Sequence, residues 1–352
     1  MNEMLELGLD TFGDVTRAPD GALLSQAQVL RNVVEEAVLA DSVGVDFIGL
    51  GEHHRDDFAI SSPEIVLAAI AGRTKRIRLG TAVTVLSSDD PVRLFQRFST
   101  LDAISGGRAE VILGRGSFTE SYGLFGYDMQ DYELLFEDKL DLFAELIRKP
   151  VVTWIGKTRA PLTKQKVYPP LGPQGLKTWI GVGGSPESVV RAVRYDMPMM
   201  LAIIGGSPSR FRPFVDLYHR AYAQSGGVVQ PLGVHSPGHI AVSDAVARDE
   251  AYPGYKALHD RIGSERGWPA VSRSDFDREI EHGSMYVGSP ETVARKIAAT
   301  AKVLGLSRFD MKYSMGTMPH EALMRSVELY GTKVMPMVRG LLAQAKGVSS
   351  VE

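Results

Sequence analysis

Short apolar runs alternate along this chain with longer segments of helical period. The runs are MLELGL from Met4, DFIGL from Asp46, IRLGTAVTV from Ile77 and AEVILG from Ala109. Four more follow: TWIGVG from Thr178, MMLAII from Met199, HIAVS from His239 and RFDMKY from Arg308. Each is the kind of run a buried strand presents. Between them, Ser25 to Val43 repeats Val29, Val33, Val34, Ala37, Val38 and Ala40 on a helical spacing, with Ser25 placed to cap it. Ser62-Pro63-Glu64 combines a cap, a proline at the first helical position and an acidic first turn. Ser185-Pro186-Glu187 and Ser289-Pro290-Glu291 repeat that signal, and Asp90-Pro91 and the segment from Glu133 to Arg148 supply two more helices.

Strand–helix alternation predicts a parallel sheet covered by helices, and eight strand candidates favour a closed (β/α)8 TIM barrel over a doubly wound open sheet. Residues 1–352 read as one domain with two excursions. Residues 151–170 suggest a small hairpin, and 243–284 form a polar, Gly/Pro-bearing insertion before the last strand. Long excursions of this kind in an enzyme barrel often form a lid.

Composition narrows the function without naming it. The 352 residues are 44% hydrophobic, enough for a large core, and the formal net charge of -3 offers no basic field for nucleic acid or anionic lipid. No apolar run is long enough to cross a bilayer, and the start MNEMLELGLDTFGD lacks the pattern of a secretory signal. The expectation is a soluble, cytoplasmic protein. Cysteine is absent, which excludes disulfides and thiolate nucleophiles or ligands.

A barrel places its chemistry at the C-terminal strand ends, so position becomes informative. Glu52, His53 and His54 follow the second strand in LGEHHRDDF; Thr81 to Val83 lie near the end of the third. Arg115 and Ser117 follow the fourth strand, and Gly183, Gly184 and Ser185 follow the fifth. GVGGSPES, from Gly181, offers backbone amides and a helix N-terminus to an anion, or simply a tight turn with an ordinary cap. Arg115 in GRGS can pair bidentately with a phosphate, or sit on a surface turn. Arg108 belongs to the opposite face. HExxH and HxH metal patterns are absent, Asp56, Asp57, His235 and His239 are scattered, and the nucleophile elbow GxSxG is missing. What remains for the histidines is an acid–base role, with Glu52 fixing a tautomer, or packing of the barrel rim.

The segments GVDFIGLGEHHRDDFAISSP and RIRLGTAVTVLSSDDPVRLFQRFSTLDAISGGRAEVILGRGSFTESYGLFG resemble those of bacterial-luciferase-like flavin-dependent monooxygenases. TWIGVGGSPESVVRAVRYDMPMM, VGSPETVARKI and VELYGTKVMP continue the resemblance in the same order over nearly the whole chain. The resemblance implies a TIM barrel, reduced FMN supplied by a separate NAD(P)H:flavin reductase, O2 as co-substrate and a small organic substrate to be oxygenated. It implies a homodimer as well. Ala82 and Val83 match the small pair behind the flavin ring, often joined by a non-prolyl cis peptide. Arg115 matches an arginine on the flavin phosphate, and Gly183, Gly184 and Ser185 match the phosphate-binding turn. Luciferases carry a Glu-Ser pair in that turn, so here backbone amides must do more. His53 matches a catalytic histidine beside the flavin, with Glu52 a carboxylate near the ring and His54 a structural neighbour. A deazaflavin-dependent hydride-transfer enzyme, a non-catalytic flavin-binding protein and a metal-dependent barrel hydrolase are the competing readings.

Overall fold

Every pairing in the main sheet is parallel. The computed structural model describes residues 4–116 and 118–349. The first half of the chain runs β1 (Glu6–Thr11), α1 (Gln26–Ser42), β2 (Phe47–Leu50), α2 (Pro63–Ala71), β3 (Arg78–Thr81) and β4 (Thr84–Val85). It continues with α3 (Pro91–Ser105), β5 (Glu110–Gly114), α4 (Glu120–Phe125) and α5 (Tyr132–Arg148). An antiparallel hairpin of β6 (Val152–Trp154) and β7 (Leu162–Gln165) stands apart from the main sheet. Then come β8 (Lys177–Val182), α6 (Pro186–Arg194), β9 (Met199–Ala202), α7 (Arg212–Ser225) and β10 (Leu232–Ile240). The insertion before the last strand holds α8 (Asp244–Arg266) and α9 (Arg273–His282), and β11 (Tyr286–Gly288) follows it. The chain ends with α10 (Pro290–Leu304), β12 (Arg308–Lys312), α11 (His320–Leu329), a π-helical turn at Tyr330–Val334 and α12 (Met335–Ser349).

The sheet order is β3-β2-β1-β12-β10-β9-β8-β5-β4, with β11 added to β10. The Leu79–Ala109 bridge between β3 and β5, with β4 also paired to β5, brings the two ends of that order together. This is a (β/α)8 barrel whose third strand is broken in two at Ala82–Val83.

Local chemistry sets the helix boundaries. Ser25 accepts the Gln28 amide, Asp90 accepts Val92 and Arg93, and Ser289 accepts Thr292, each side chain satisfying an amide the first helical turn leaves free. Arg108 sits where a strand begins and donates to Ser105 O, Thr74 O and Oγ1, Ile77 O and Ala71 O, tying the base of the barrel together.

Two cores result. The larger fills the layer between strands and helices; a smaller one, Phe47, Ile112, Trp179 and Met200, fills the barrel itself. Below that plug the barrel is charged. Glu110 pairs with Arg308 at 2.7 Å and Arg78 at 3.0 Å, Arg308 pairs with Asp310 at 2.9 Å, and Glu6 joins Arg78 and Lys177. Burial would raise the Glu110 pKa, but Arg308, Arg78 and Lys177 outweigh it and hold the carboxyl below its usual range.

The seventh barrel strand differs from its sequence expectation. It is LGVHSPGHI, starting at Leu232, and only His239 and Ile240 of the run HIAVS belong to it. The first strand extends past MLELGL to Thr11, and MMLAII ends as a strand at Ala202.

Candidate active site

Small residues make a shallow floor at the upper end of the barrel. A Cβ placed on Gly114 would lie 2.5 Å from Val83 Cγ2, and one on Gly181 would lie 3.3 Å from Val83 Cγ1. One on Gly49 would lie 3.0 Å from the Ala82 Cβ and 2.1 Å from Asp10 Oδ1. The Ala82–Val83 peptide bond is cis, and both side chains remain partly open to the mouth. The geometry leaves a low, apolar surface suited to a flat ring.

Glu52, His53 and His54 separate into two roles. The Glu52 carboxylate accepts the Val85 amide at 2.9 Å and meets His54 Nε2 at 2.9 Å. The His54 ring also lies edge-on to Phe125 at 5.1 Å. Glu52 therefore orients His54 and the segment beyond Ala82–Val83. His53 turns into an aromatic wall, its ring centroid 4.6 Å from Phe12, 4.5 Å from Phe58 and 5.0 Å from Phe118. It makes no side-chain hydrogen bond among the described residues. Burial first, then the Lys312 ammonium, push its imidazole down to about 3, against the opposing pull of Asp14. The shift makes this ring a weaker proton acceptor than an ordinary imidazole.

Arg115 reaches the Gly183–Ser185 turn through Ser188 on the helix that follows it. Arg115 donates to Ser188 Oγ at 3.3 Å, lies 4.8 Å over the Tyr132 ring and pairs with Glu133. Ser185 caps α6, its Oγ 2.8 Å from Ser188 Oγ, while Gly183 and Gly184 are exposed and Gly184 has φ +116. Arg191 joins from α6, donating to Ser188 Oγ and Glu133 Oε2 at 3.1 Å each. Two guanidiniums and two hydroxyls converge here beside the carboxylates of Glu133 and Glu137, a donor set able to meet an anion. Ser185, Ser188 and Arg191 recur every three residues along one face of α6, which is the sequence signal for the two missing members. Ser117 lies outside the described residues.

Other residues at the mouth carry no motif. His235 on β10 contacts Asp10 on β1, and Lys312 on β12 is bonded to Asp14 at 2.9 Å. The end of α8 is tied to the loop after β2, since Glu265 accepts two hydrogen bonds from Arg55, at 2.8 and 2.7 Å, and Arg261 pairs with Asp56. Beneath that crossing, a cleft of about 340 Å³ is lined by Gln26, His53, His54, Arg55, Asp56, Phe58, Ala59, Ser61 and Leu124. Among the described residues, no group of three or more His, Asp or Glu is arranged to hold a metal ion, and no helix is long and apolar enough to cross a membrane.

The parallel sheet, its joined ends and the helices around it define a TIM-barrel protein. The chain belongs to the luciferase-like monooxygenase family, whose sequence profile matches residues 11–308. The alkanal monooxygenase alpha chain of Photorhabdus laumondii is 22% identical to it, over 93% of this chain and 98% of that one. Among solved structures, the monooxygenase RslO1 from Streptomyces bottropensis superposes with a TM-score of 0.83 at 22% identity, covering 94% of this chain and 99% of that one. The oxygenating constituent of 3,6-diketocamphane monooxygenase from Pseudomonas putida, a type II Baeyer-Villiger enzyme in complex with FMN, gives 0.75 at 20%, covering 95% and 98%. An F420-dependent secondary alcohol dehydrogenase also gives 0.75, at 15%, covering 95% and 99%.

Proposed function

We propose that this protein is an FMN-dependent monooxygenase that uses reduced FMN and O2 to oxygenate a small organic substrate. The observation that carries this reading is the pairing of one anion cradle with one flat floor on the same barrel rim. Arg115, Arg191, Ser185, Ser188 and the Gly183–Gly184 amides would hold the flavin phosphate. Ala82 and Val83, backed by Gly49, Gly114 and Gly181, would support the ring. Reduced flavin, when bound, supplies the electrons with which O2 is activated. The chain supplies position and shelter. Glu52 holds the Val85 segment and the His54 ring in place, His53 presents a neutral imidazole within an aromatic wall, and the α8 crossing limits water at the mouth.

The same reading draws its reduced FMN from a separate NAD(P)H:flavin reductase in the cytoplasm and pairs the chain as a homodimer. F420 is the competing cofactor, favoured by the likeness of fold to the F420-dependent alcohol dehydrogenase. Titration of the purified chain with FMN and with F420, followed by oxygen uptake on adding reduced FMN, tests both. Saturable FMN binding with substrate-stimulated oxygen uptake supports the proposal. Binding of F420 alone, with no oxygen uptake, overturns it.

A further inference from the structure

His235 stands alone in the sequence, yet the fold seats it on a buried carboxylate at the mouth. Its Nδ1 lies 2.5 Å from Asp10 Oδ2, reaching across the intervening β12. A carboxylate accepts, so Nδ1 carries the hydrogen and the neutral ring keeps its lone pair on Nε2. Nε2 has no hydrogen-bond partner among the described residues, and the side chain keeps 11% of its surface. Asp10 is fully buried, and its second oxygen has no partner. Its charge is therefore poised to stabilise an imidazolium at His235.

The surrounding charges leave that arrangement intact. On β12, the Lys312 ammonium is bonded to Asp14 and Ser314. Asp310, also on β12, is held by Arg308. Burial is the main cause that raises its pKa, with Arg308 opposing and Asp10 adding. Phe12 lies nearly parallel to His235, centroids 6.1 Å apart at 12°, and packs His53 on its other contact. Among the described residues, His53 has no hydrogen-bonded carboxylate, and Asp14 acts on it only at a distance.

We propose that His235, seated on Asp10, is the proton acceptor of the barrel mouth and takes its proton from the O–H of a planar, weakly acidic substrate, a phenol or an enol. The proposal rests on the monooxygenase reading for the reaction that follows. An unpaired imidazole nitrogen recognises a weak acid, and Phe12, Phe58 and Phe118 offer apolar walls to a flat body. The substrate O–H bond breaks, its electron pair stays on oxygen, and an N–H bond forms at Nε2. The resulting phenolate or enolate is the electron-rich partner an electrophilic oxygen donor needs. The imidazolium, facing Asp10, returns its proton to solvent as product leaves.

The full chain can be titrated with 4-nitrophenol just below the pH at which the probe ionises in water, reading the visible phenolate band. The parent and a His219→Gln control, changed on the exposed face of α7, should bind the probe and ionise it. His235→Gln should lose the band and bind about 10-fold more weakly or worse, and Asp10→Asn should lose the band. A parent that fails to bind the probe or binds it un-ionised overturns the proposal, as does a His235→Gln variant that ionises it normally. Loss of ionisation in His53→Gln with retention in His235→Gln would assign the role to the other ring. Nitrogen-15 spectra of histidine-labelled parent protein serve if His235→Gln does not fold. An Nδ1-protonated His235 is expected, and an Nε2-protonated one overturns the dyad. FMN titration of the same samples reports separately. Failure to bind FMN with intact probe ionisation removes the flavin reading and leaves the dyad.

Discussion

The Glu52 carboxylate ties the end of β2 to Val85, accepting that residue's amide at 2.9 Å on one oxygen while the other meets His54 at the same distance. Glu52→Ala leaves a partly buried amide without its acceptor and should destabilise the fold by about 1–3 kcal/mol. Glu52→Gln keeps an acceptor oxygen and should lose less. Urea unfolding of the three proteins decides it, and matching midpoints for the Ala variant and the parent would show that water replaces the carboxylate.

Arg115 and Arg191 share Glu133, so a phosphate entering the cradle competes with that carboxylate. Arg115→Ala should weaken FMN binding by about 10- to 100-fold, the scale of a lost charge-assisted contact. Glu133→Gln should act in the opposite direction and tighten it. Flavin fluorescence quenching gives both dissociation constants; an unchanged value for Arg115→Ala would remove that arginine from the cradle.

His53 makes folding sensitive to acid. Its folded pKa, about 3, lies below the ordinary value of 6.5, so the unfolded chain binds the proton more readily. The stability it contributes is complete above pH 6.5 and is lost as pH falls toward 3, at up to about 1.4 kcal/mol for each unit. His53→Phe suits the aromatic wall and cannot take up a proton. Thermal midpoints should therefore fall less steeply in this variant than in the parent as the solution is acidified below neutrality. Parallel curves would show that the ring is not kept neutral by the fold.

The α8 crossing should respond to salt. Arg55, Asp56, Asp57, Arg261 and Glu265 form ion pairs between the loop after β2 and the insertion, at partly exposed positions where screening is effective. Glu265→Gln should raise amide hydrogen exchange over residues 255–267 and make it less dependent on ionic strength. Exchange that matches the parent at all salt concentrations would show that apolar packing alone holds the crossing.

Seven of the eight barrel strands were legible at least in outline, because outward apolar residues give a buried strand its run. β10 was not, since His235, Ser236, Pro237 and Gly238 carry the composition of a turn. Gly238 is there for contact: a Cβ would fall 2.5 Å from Met311 Sδ and 2.7 Å from Tyr286 O. The anion turn and the EHH segment could be read because each is contiguous. Asp10, His235 and Lys312 could not, since they come from three strands far apart in the chain and nothing local marks them as neighbours. The alternation Arg308, Asp310, Lys312 was a signal of charge pointing into the barrel, although its apolar partners Phe309 and Met311 made it read as an ordinary strand.

The charged network below the barrel plug constrains how this sequence can drift. Arg308 and Asp310 have no exposed surface, and Glu110 almost none, so removing Arg308 takes from Asp310 its cation in a place water does not reach, and removing either acid leaves the others with an unbalanced charge. Breaking a buried ion pair from one side costs about 3–5 kcal/mol, a large share of the stability a domain has, whereas replacing the whole set with well-fitted apolar residues can cost nothing. Glu110, Arg308 and Asp310 are thus a single heritable unit spread over two distant segments. Descendants of this chain should keep all three together or have exchanged all three, and chimaeras joined between β5 and β12 should fold only when both parents carry the same set.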